Sequence, residues 1–349
     1  MTLTRLMTRI ALTSALVSGP CAILAAEPAN AANPYGSCQD VSIPVALTAG
    51  QPADQTVAAT YCTPATWTSG PHEIDVLVAG ATYNHTYWDW PQSPDTYSYV
   101  DKTLQEHRAT LNYDRLGTGS SSRPDGSQLN ITNDAYVLHQ VIGWAHARGY
   151  AQVNGIGHSM GSITQTKEAA LYQDVQRVVA TGILHIPGIG LNSTGFATSV
   201  YPAALDPAFA SGGYDINYLT TLPGRRGPDF YDPSTADPNV IAYDETHKDV
   251  ATVGEVSGSI TELQTPALLN TTRQITAPVL VVMGEEDDIF CNLTVDCHSA
   301  GSIQNNEAPY YDHAASLSVA TVPGTAHDLP LHPSANVSFN KINDWIAAH

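Results

Sequence analysis

Charge is scarce in this chain, and positive charge most of all. Only 13% of the 349 residues are charged, and 14 Lys and Arg stand against 33 Asp and Glu, for a formal net charge of −19. Such a surface repels phosphate backbones and anionic lipid head groups, which argues against nucleic acid as a partner. No C-x-x-C or H-E-x-x-H spacing occurs, so no metal site is expected. Neither G-x-x-x-x-G-K-[ST] nor G-x-G-x-x-G is present, and the Gly-containing turn Asp114-Arg115-Leu116-Gly117-Thr118-Gly119-Ser120 is therefore read as structural, with Asp114 and Arg115 fixing it. No internal repeat is visible. No run after the first thirty or so residues approaches the roughly 20 apolar residues that a membrane span needs, so stable membrane insertion is not expected.

What is present is enough apolar residue to fill a core, 43% of the chain. The N-terminus reads as a processing signal over residues 1–31. Arg5 and Arg9 precede a mostly apolar stretch from Ile10 to Ala26, interrupted by Gly19-Pro20, and Ala29-Asn30-Ala31 has the A-x-A form of a cleavage site. The expectation is a protein secreted after cleavage behind Ala31. Of the five cysteines Cys21 leaves with that segment, and Cys38, Cys62, Cys291 and Cys297 remain. An even number in an oxidising compartment implies disulfides. Three pairings exist, and proximity in sequence favours Cys38–Cys62 and Cys291–Cys297.

Residues 32–70 carry short β-like runs, Val41 to Leu47 and Thr56 to Tyr61, and read as an N-terminal β extension. Apolar runs and helical patterns then alternate. Strands are expected at Ile74–Ala79, Ala109–Tyr113, Ala151–Ile156, Val175–Ile183, Pro278–Met283 and Leu317–Val322. Helices are expected over Tyr97–His107, from a Thr132 cap to Gly149, over Ser162–Tyr172, and at the C-terminus, where Phe339, Ile342 and Ile346 share a face. This alternation predicts an α/β fold, a doubly wound, mostly parallel sheet covered on both faces. It stops between about 187 and 269, which reads as an insertion over the carboxyl edge of the sheet, where ligands bind in such folds; a separate domain is the alternative.

Gly157-His158-Ser159-Met160-Gly161 follows an expected strand and precedes an expected helix, the context in which G-x-S-x-G is a nucleophile turn. A serine needs a base. His327, directly after the Leu317–Val322 strand, is the choice, with His332 as competitor. The base needs an orienting carboxylate. Asp287 follows the Pro278–Met283 strand, with Asp288 second, and a Cys291–Cys297 bridge would pin the loop beyond it. Oxyanion donors are expected from the N–H groups of Met160 and Ala81. Tyr83, Tyr87, Trp88 and Trp90 line a substrate pocket or pack as ordinary core; Tyr83 and Trp88 are the substrate-binding candidates. The polar segment from Gly224 to Tyr231 favours short, medium or cyclic esters over long acyl chains.

Together, Gly157-His158-Ser159-Met160-Gly161, the Asp114–Ser120 turn, Gly284 to Asp287, and Gly324 to His327, in this order, resemble the α/β-hydrolase superfamily, in particular its secreted bacterial esterase- and lipase-like members, from about Asp75 to Trp345. The resemblance implies an eight-stranded sheet with a lid after the sixth strand, the triad and oxyanion roles above, and cofactor-independent cleavage of small-molecule esters or lactones. Many members carry His-Gly at the oxyanion loop where this chain has Ala79-Gly80. A peptidase or acyltransferase with the same triad, or a binding protein on the same scaffold, are the rival expectations.

Overall fold

The computed structural model describes residues 33–185, 198–291 and 294–349. The expected signal segment and residues 186–197 of the insertion lie outside the described residues.

Eight strands form the main sheet: β1 (Gly36–Val45), β2 (Gln55–Pro64), β3 (Glu73–Val78), β4 (Ala109–Tyr113), β5 (Gln152–His158), β6 (Arg177–Thr181), β10 (Val279–Gly284) and β11 (Leu317–Val322). Their order is β1-β2-β4-β3-β5-β6-β10-β11. Only β2 runs against its neighbours, pairing antiparallel with β1 and β4; every other pair is parallel. The N-terminal β segment is thus a part of the sheet rather than an appendage to it. Cys38 and Cys62 are directly opposed in the β1–β2 register and form a disulfide. β3, β4, β5 and β10 are buried almost throughout, as strands covered on both faces must be.

Helix starts differ from the sequence reading for local reasons. The expected helix from Tyr97 is split into α1 (Pro94–Tyr97) and α2 (Tyr99–Gln105), because Ser98 is extended and its hydroxyl accepts the Asp101 N–H. Asn130 rather than Thr132 caps α3 (Ile131–His146), since its side chain accepts from both Thr132 N–H and Asn133 N–H. α4 (Met160–Tyr172) starts immediately after Ser159, two residues earlier than expected. β6 is shorter than the Val175–Ile183 run and gives way to Gly182 at φ +63°.

The stretch without βα rhythm is structured. It holds a three-stranded sheet of β7 (Val200–Pro202), β8 (Tyr218–Thr221) and β9 (Ala251–Thr252), together with α5 (Arg226–Phe230), α6 (Pro238–His247) and α7 (Val253–Gln264). α7 opens with a capping box: the Thr252 side chain accepts Glu255 N–H while Glu255 reaches back to the Thr252 N–H. After β10 come α8 (Ala300–Glu307), β11 and α9 (Ala335–Ala348), which buries Phe339, Ile342 and Ile346 as expected. Among the described residues no helix is long and apolar enough to cross a membrane.

Candidate active site

The carboxyl ends of β5, β10 and β11 deliver three side chains to one place. β5 ends at His158, and the chain reverses into α4 through Ser159, whose backbone has φ +51° and ψ −124°. A non-glycine residue at positive φ is strained, and strain of this kind persists only where packing enforces it. Here the enforcement is steric. A Cβ on Gly157 would lie 2.5 Å from Ser162 Cα, and one on Gly161 would lie 2.3 Å from the Val78 carbonyl oxygen. Both flanking residues must be bare for the turn to pack between β3 and α4.

The loop after β11 brings His327 to this turn. Its Nε2 is 2.9 Å from Ser159 Oγ, and its Nδ1 is 2.9 Å from Asp287 Oδ2. An ionised carboxylate only accepts, so Nδ1 carries the proton and Nε2 is left to accept from the Ser159 hydroxyl. Asp287 is fully buried, and its other oxygen accepts the N–H groups of Ile289 and Phe290 at 3.0 and 3.2 Å. Both competitors point elsewhere: His332 binds the Asp328 carbonyl and contacts the Ala326 N–H, and Asp288 is exposed. Burial alone would depress the His327 pKa, but the charge and hydrogen bond of Asp287, with Asp328 behind them, outweigh it and raise the pKa above the usual imidazole value. Cys291 and Cys297 form a disulfide directly after the Asp287 turn, and Cys291 N–H donates to the Asp287 carbonyl.

The N–H of Met160 opens α4 and that of Ala81 belongs to the loop after β3; neither has an acceptor among the described residues. Gly80 touches the Ser159 turn so closely that a Cβ there would be 3.1 Å from Ser159 Cβ. Arg115 does more than fix its own turn. Fully buried, it pairs with Glu255 at the start of α7 and donates to the carbonyl oxygens of Gly80 and Val250, each at 3.3 Å. It therefore ties the Gly80 loop to the insertion.

Ser159, His327, Gly80, Ala81 and Met160 face a pocket whose remaining wall is mostly apolar: Ile163, Phe230, Val256, Ile260, Leu263, Ile289 and Phe290, with His158, Ser259 and Tyr83 beside them. Of the aromatic candidates only Tyr83 lines it. Its hydroxyl is turned away, within hydrogen-bond distance of Asp244 and Asp328, so the ring is what it presents. Trp88 is corrected: it is wholly buried against Tyr87 and Tyr99 and does not reach the pocket. Tyr87 stacks on His158, and Trp90 packs on Tyr243.

The polarity of the Gly224–Tyr231 segment also has a different meaning from the one expected. Arg226 is fully buried beneath the pocket, 2.8 Å from Asp244 and 4.1 Å from the Tyr83 ring centre. It forms an ion pair inside the insertion, so its charge does not line the pocket. The sequence reading missed the wall made by α7. The signal was there: a Thr-x-x-Glu box at Thr252–Glu255 followed by Val256, Ile260 and Leu263 at helical spacing.

Residues 76–338 match the model of the alpha/beta hydrolase family. No curated protein sequence matches the chain. Solved structures share its fold at low identity. A thermophilic esterase from Thermogutta terrifontis is 16% identical with a TM-score of 0.60, over 89% of this chain and 98% of that one. A monoacylglycerol lipase from Paleococcus ferrophilus is 16% identical with a TM-score of 0.55, over 83% and 99%. An enol-lactonase from Burkholderia xenovorans LB400 is 16% identical with a TM-score of 0.53, over 84% and 97%.

Proposed function

The chain belongs to the alpha/beta hydrolase family, and from that premise we propose that it is a secreted, cofactor-independent serine hydrolase that cleaves small-molecule carboxylic esters or lactones through an acyl-enzyme. The observation that carries this reading is His327 held 2.9 Å from both Ser159 Oγ and Asp287 Oδ2 at the mouth of an apolar pocket.

In this reading Ser159 Oγ attacks the ester carbonyl carbon as His327 Nε2 takes its proton. The N–H groups of Met160 and Ala81 receive the carbonyl oxygen as it becomes an oxyanion, preorganised donors whose individual removal typically costs about 10²–10³ in rate. The C–O bond to the leaving alcohol breaks, and the imidazolium returns the proton to that oxygen. Water then adds to the acyl-enzyme by the same path in reverse roles, releasing the acid and restoring Ser159. Asp287 keeps the proton on Nδ1 and stabilises the imidazolium. Two disulfides agree with an exported protein.

Among the described residues no Lys or Arg lines the pocket, so uncharged acyl groups are the expected substrates. A series of p-nitrophenyl esters of increasing chain length, run beside a lactone panel and esters with a carboxylate on the acyl chain, tests this. Turnover is expected on neutral short and medium acyl groups or lactones, and little on the anionic ones. Failure on every neutral ester and lactone by folded protein overturns the reading.

The pH dependence follows from His327. Protonated imidazole cannot take the Ser159 proton, so kcat/KM falls as pH drops through the His327 pKa. Because that pKa is raised, the acid limb is expected to have its midpoint above the value of about 6.5 for free imidazole, with a plateau on the alkaline side. A kcat/KM profile with its midpoint below that value would contradict the assignment of the carboxylate to His327.

A further inference from the structure

A second cluster of functional groups lies outside the pocket, where α3 packs on α4. His139 comes from α3, Glu168 from α4, and Asp174 from just past the end of α4. His139 Nδ1 is 2.7 Å from Asp174 Oδ2 and 3.7 Å from Glu168 Oε1, and one ligand atom from each of the three lies within 4.8 Å of the others. The Glu168 side chain is completely buried. Its Oε2 is 3.4 Å from Gln165 Nε2, but Oε1, the oxygen beside His139, accepts no hydrogen bond, and neither does the buried Oδ1 of Asp174. Among the described residues no Lys or Arg is within ion-pair distance of either carboxyl. Buried carboxyl oxygens without a donor or a cation are costly.

We propose that His139, Glu168 and Asp174 form a divalent-cation site, with Zn²⁺ as the ion that the donor set fits. One imidazole nitrogen with two carboxylate oxygens suits Zn²⁺, whereas Ca²⁺ and Mg²⁺ favour oxygen alone. The His139 ring is already oriented, stacked on Tyr172 with centres 4.0 Å apart. His139 and Asp174 are part-exposed, which leaves solvent a path to a fourth ligand position. Zn²⁺ binds carboxylate and neutral imidazole, so any proton that these three groups carry is released to water on binding. The ion would join α3 to the C-terminal end of α4, the helix that begins immediately after Ser159, some nine residues and so about 13 Å away along the axis. It is a structural brace, independent of the Ser159 chemistry.

The test is calorimetric titration of the chelator-treated full chain with ZnCl₂, at mildly acidic and mildly alkaline pH, in buffers of different ionisation enthalpy, with the melting temperature read alongside. One Zn²⁺ per chain is expected, with proton release, tighter binding at the higher pH and a raised melting temperature. Glu168→Gln and His139→Ala should each weaken binding at least about tenfold and remove the thermal shift. Glu168→Gln preserves shape and removes the buried acid, so it keeps the test decisive if His139→Ala does not fold. No binding by the wild-type chain, or unchanged affinity in Glu168→Gln, overturns the site; the latter would assign the zinc to a surface histidine such as His298 beside Glu285 and Glu286.

Discussion

Ser159→Ala is expected to remove ester hydrolysis, with a loss in kcat on the order of 10⁶-fold and almost no change in melting temperature. The hydroxyl hydrogen-bonds to His327, so its deletion leaves the Ser159 turn, held by Gly157 and Gly161 against β3 and α4, in place. His327→Ala should cost about as much, and the double variant no more than either alone, because the pair acts as one unit: a hydroxyl without a base and a base without a hydroxyl are equally idle. Hydrolysis of the best ester, measured by kcat, and labelling by a phosphonate probe are the two readouts. The wild-type chain should label once per molecule and Ser159→Ala not at all. Retention of wild-type turnover by Ser159→Ala would end the serine-hydrolase reading.

Asp287→Asn is expected to lower kcat by about 10⁴-fold while leaving substrate binding nearly intact. The reason is directional. Asp287 Oδ1 already accepts from the backbone N–H groups of Ile289 and Phe290, so an Asn at this position keeps its oxygen there and turns its NH₂ toward His327 Nδ1. That nitrogen must then accept, the ring proton moves to Nε2, and Nε2 donates to Ser159 instead of taking its proton. Removing the carboxylate also removes the main influence that raises the His327 pKa. Burial then dominates, and the acid midpoint of the residual activity should move down relative to the wild-type chain. A Asp287→Asn variant with unchanged kcat and an unmoved midpoint would show that another group orients the imidazole, and Asp328, fully buried and adjacent in sequence, would be the one to replace next.

Errors in the sequence reading were of two kinds. Helix starts moved for local reasons: Ser98 splits the first helix, α4 opens directly behind Ser159, and at α3 two capping residues compete. Asn130 and Thr132 can each cap in isolation; in the fold the Asn130 side chain accepts the Thr132 and Asn133 N–H groups. The larger errors concerned side-chain direction. Trp88 and Tyr83 are five residues apart in one aromatic run, yet the short helical turn at His85–Tyr87 sends Tyr83 to the pocket and Trp88 into the core beside Tyr99. Arg226, in the polar segment read as bearing on ester size, is buried on Asp244. A 3.6-residue or two-residue period assigns a residue to a face, but no such period operates in a loop.

The sequence alone determined what is local. Apolar runs of strand length alternating with amphipathic helices dictate a parallel sheet, and two glycines around Ser159 dictate a tight turn, because backbone sterics and burial period act between residues close in the chain. The order of Ser159, Asp287 and His327 along those strands was legible for the same reason, since each follows a strand end. Only the tertiary structure decided which side chains meet. The fit of Val256, Ile260 and Leu263 over Ser159, the burial of Arg226 on Asp244, and the convergence of His139, Glu168 and Asp174 all depend on how crossover connections pack helices on the sheet. Those contacts join residues tens to more than a hundred positions apart, where no spacing rule reaches and only the shape of the folded core decides.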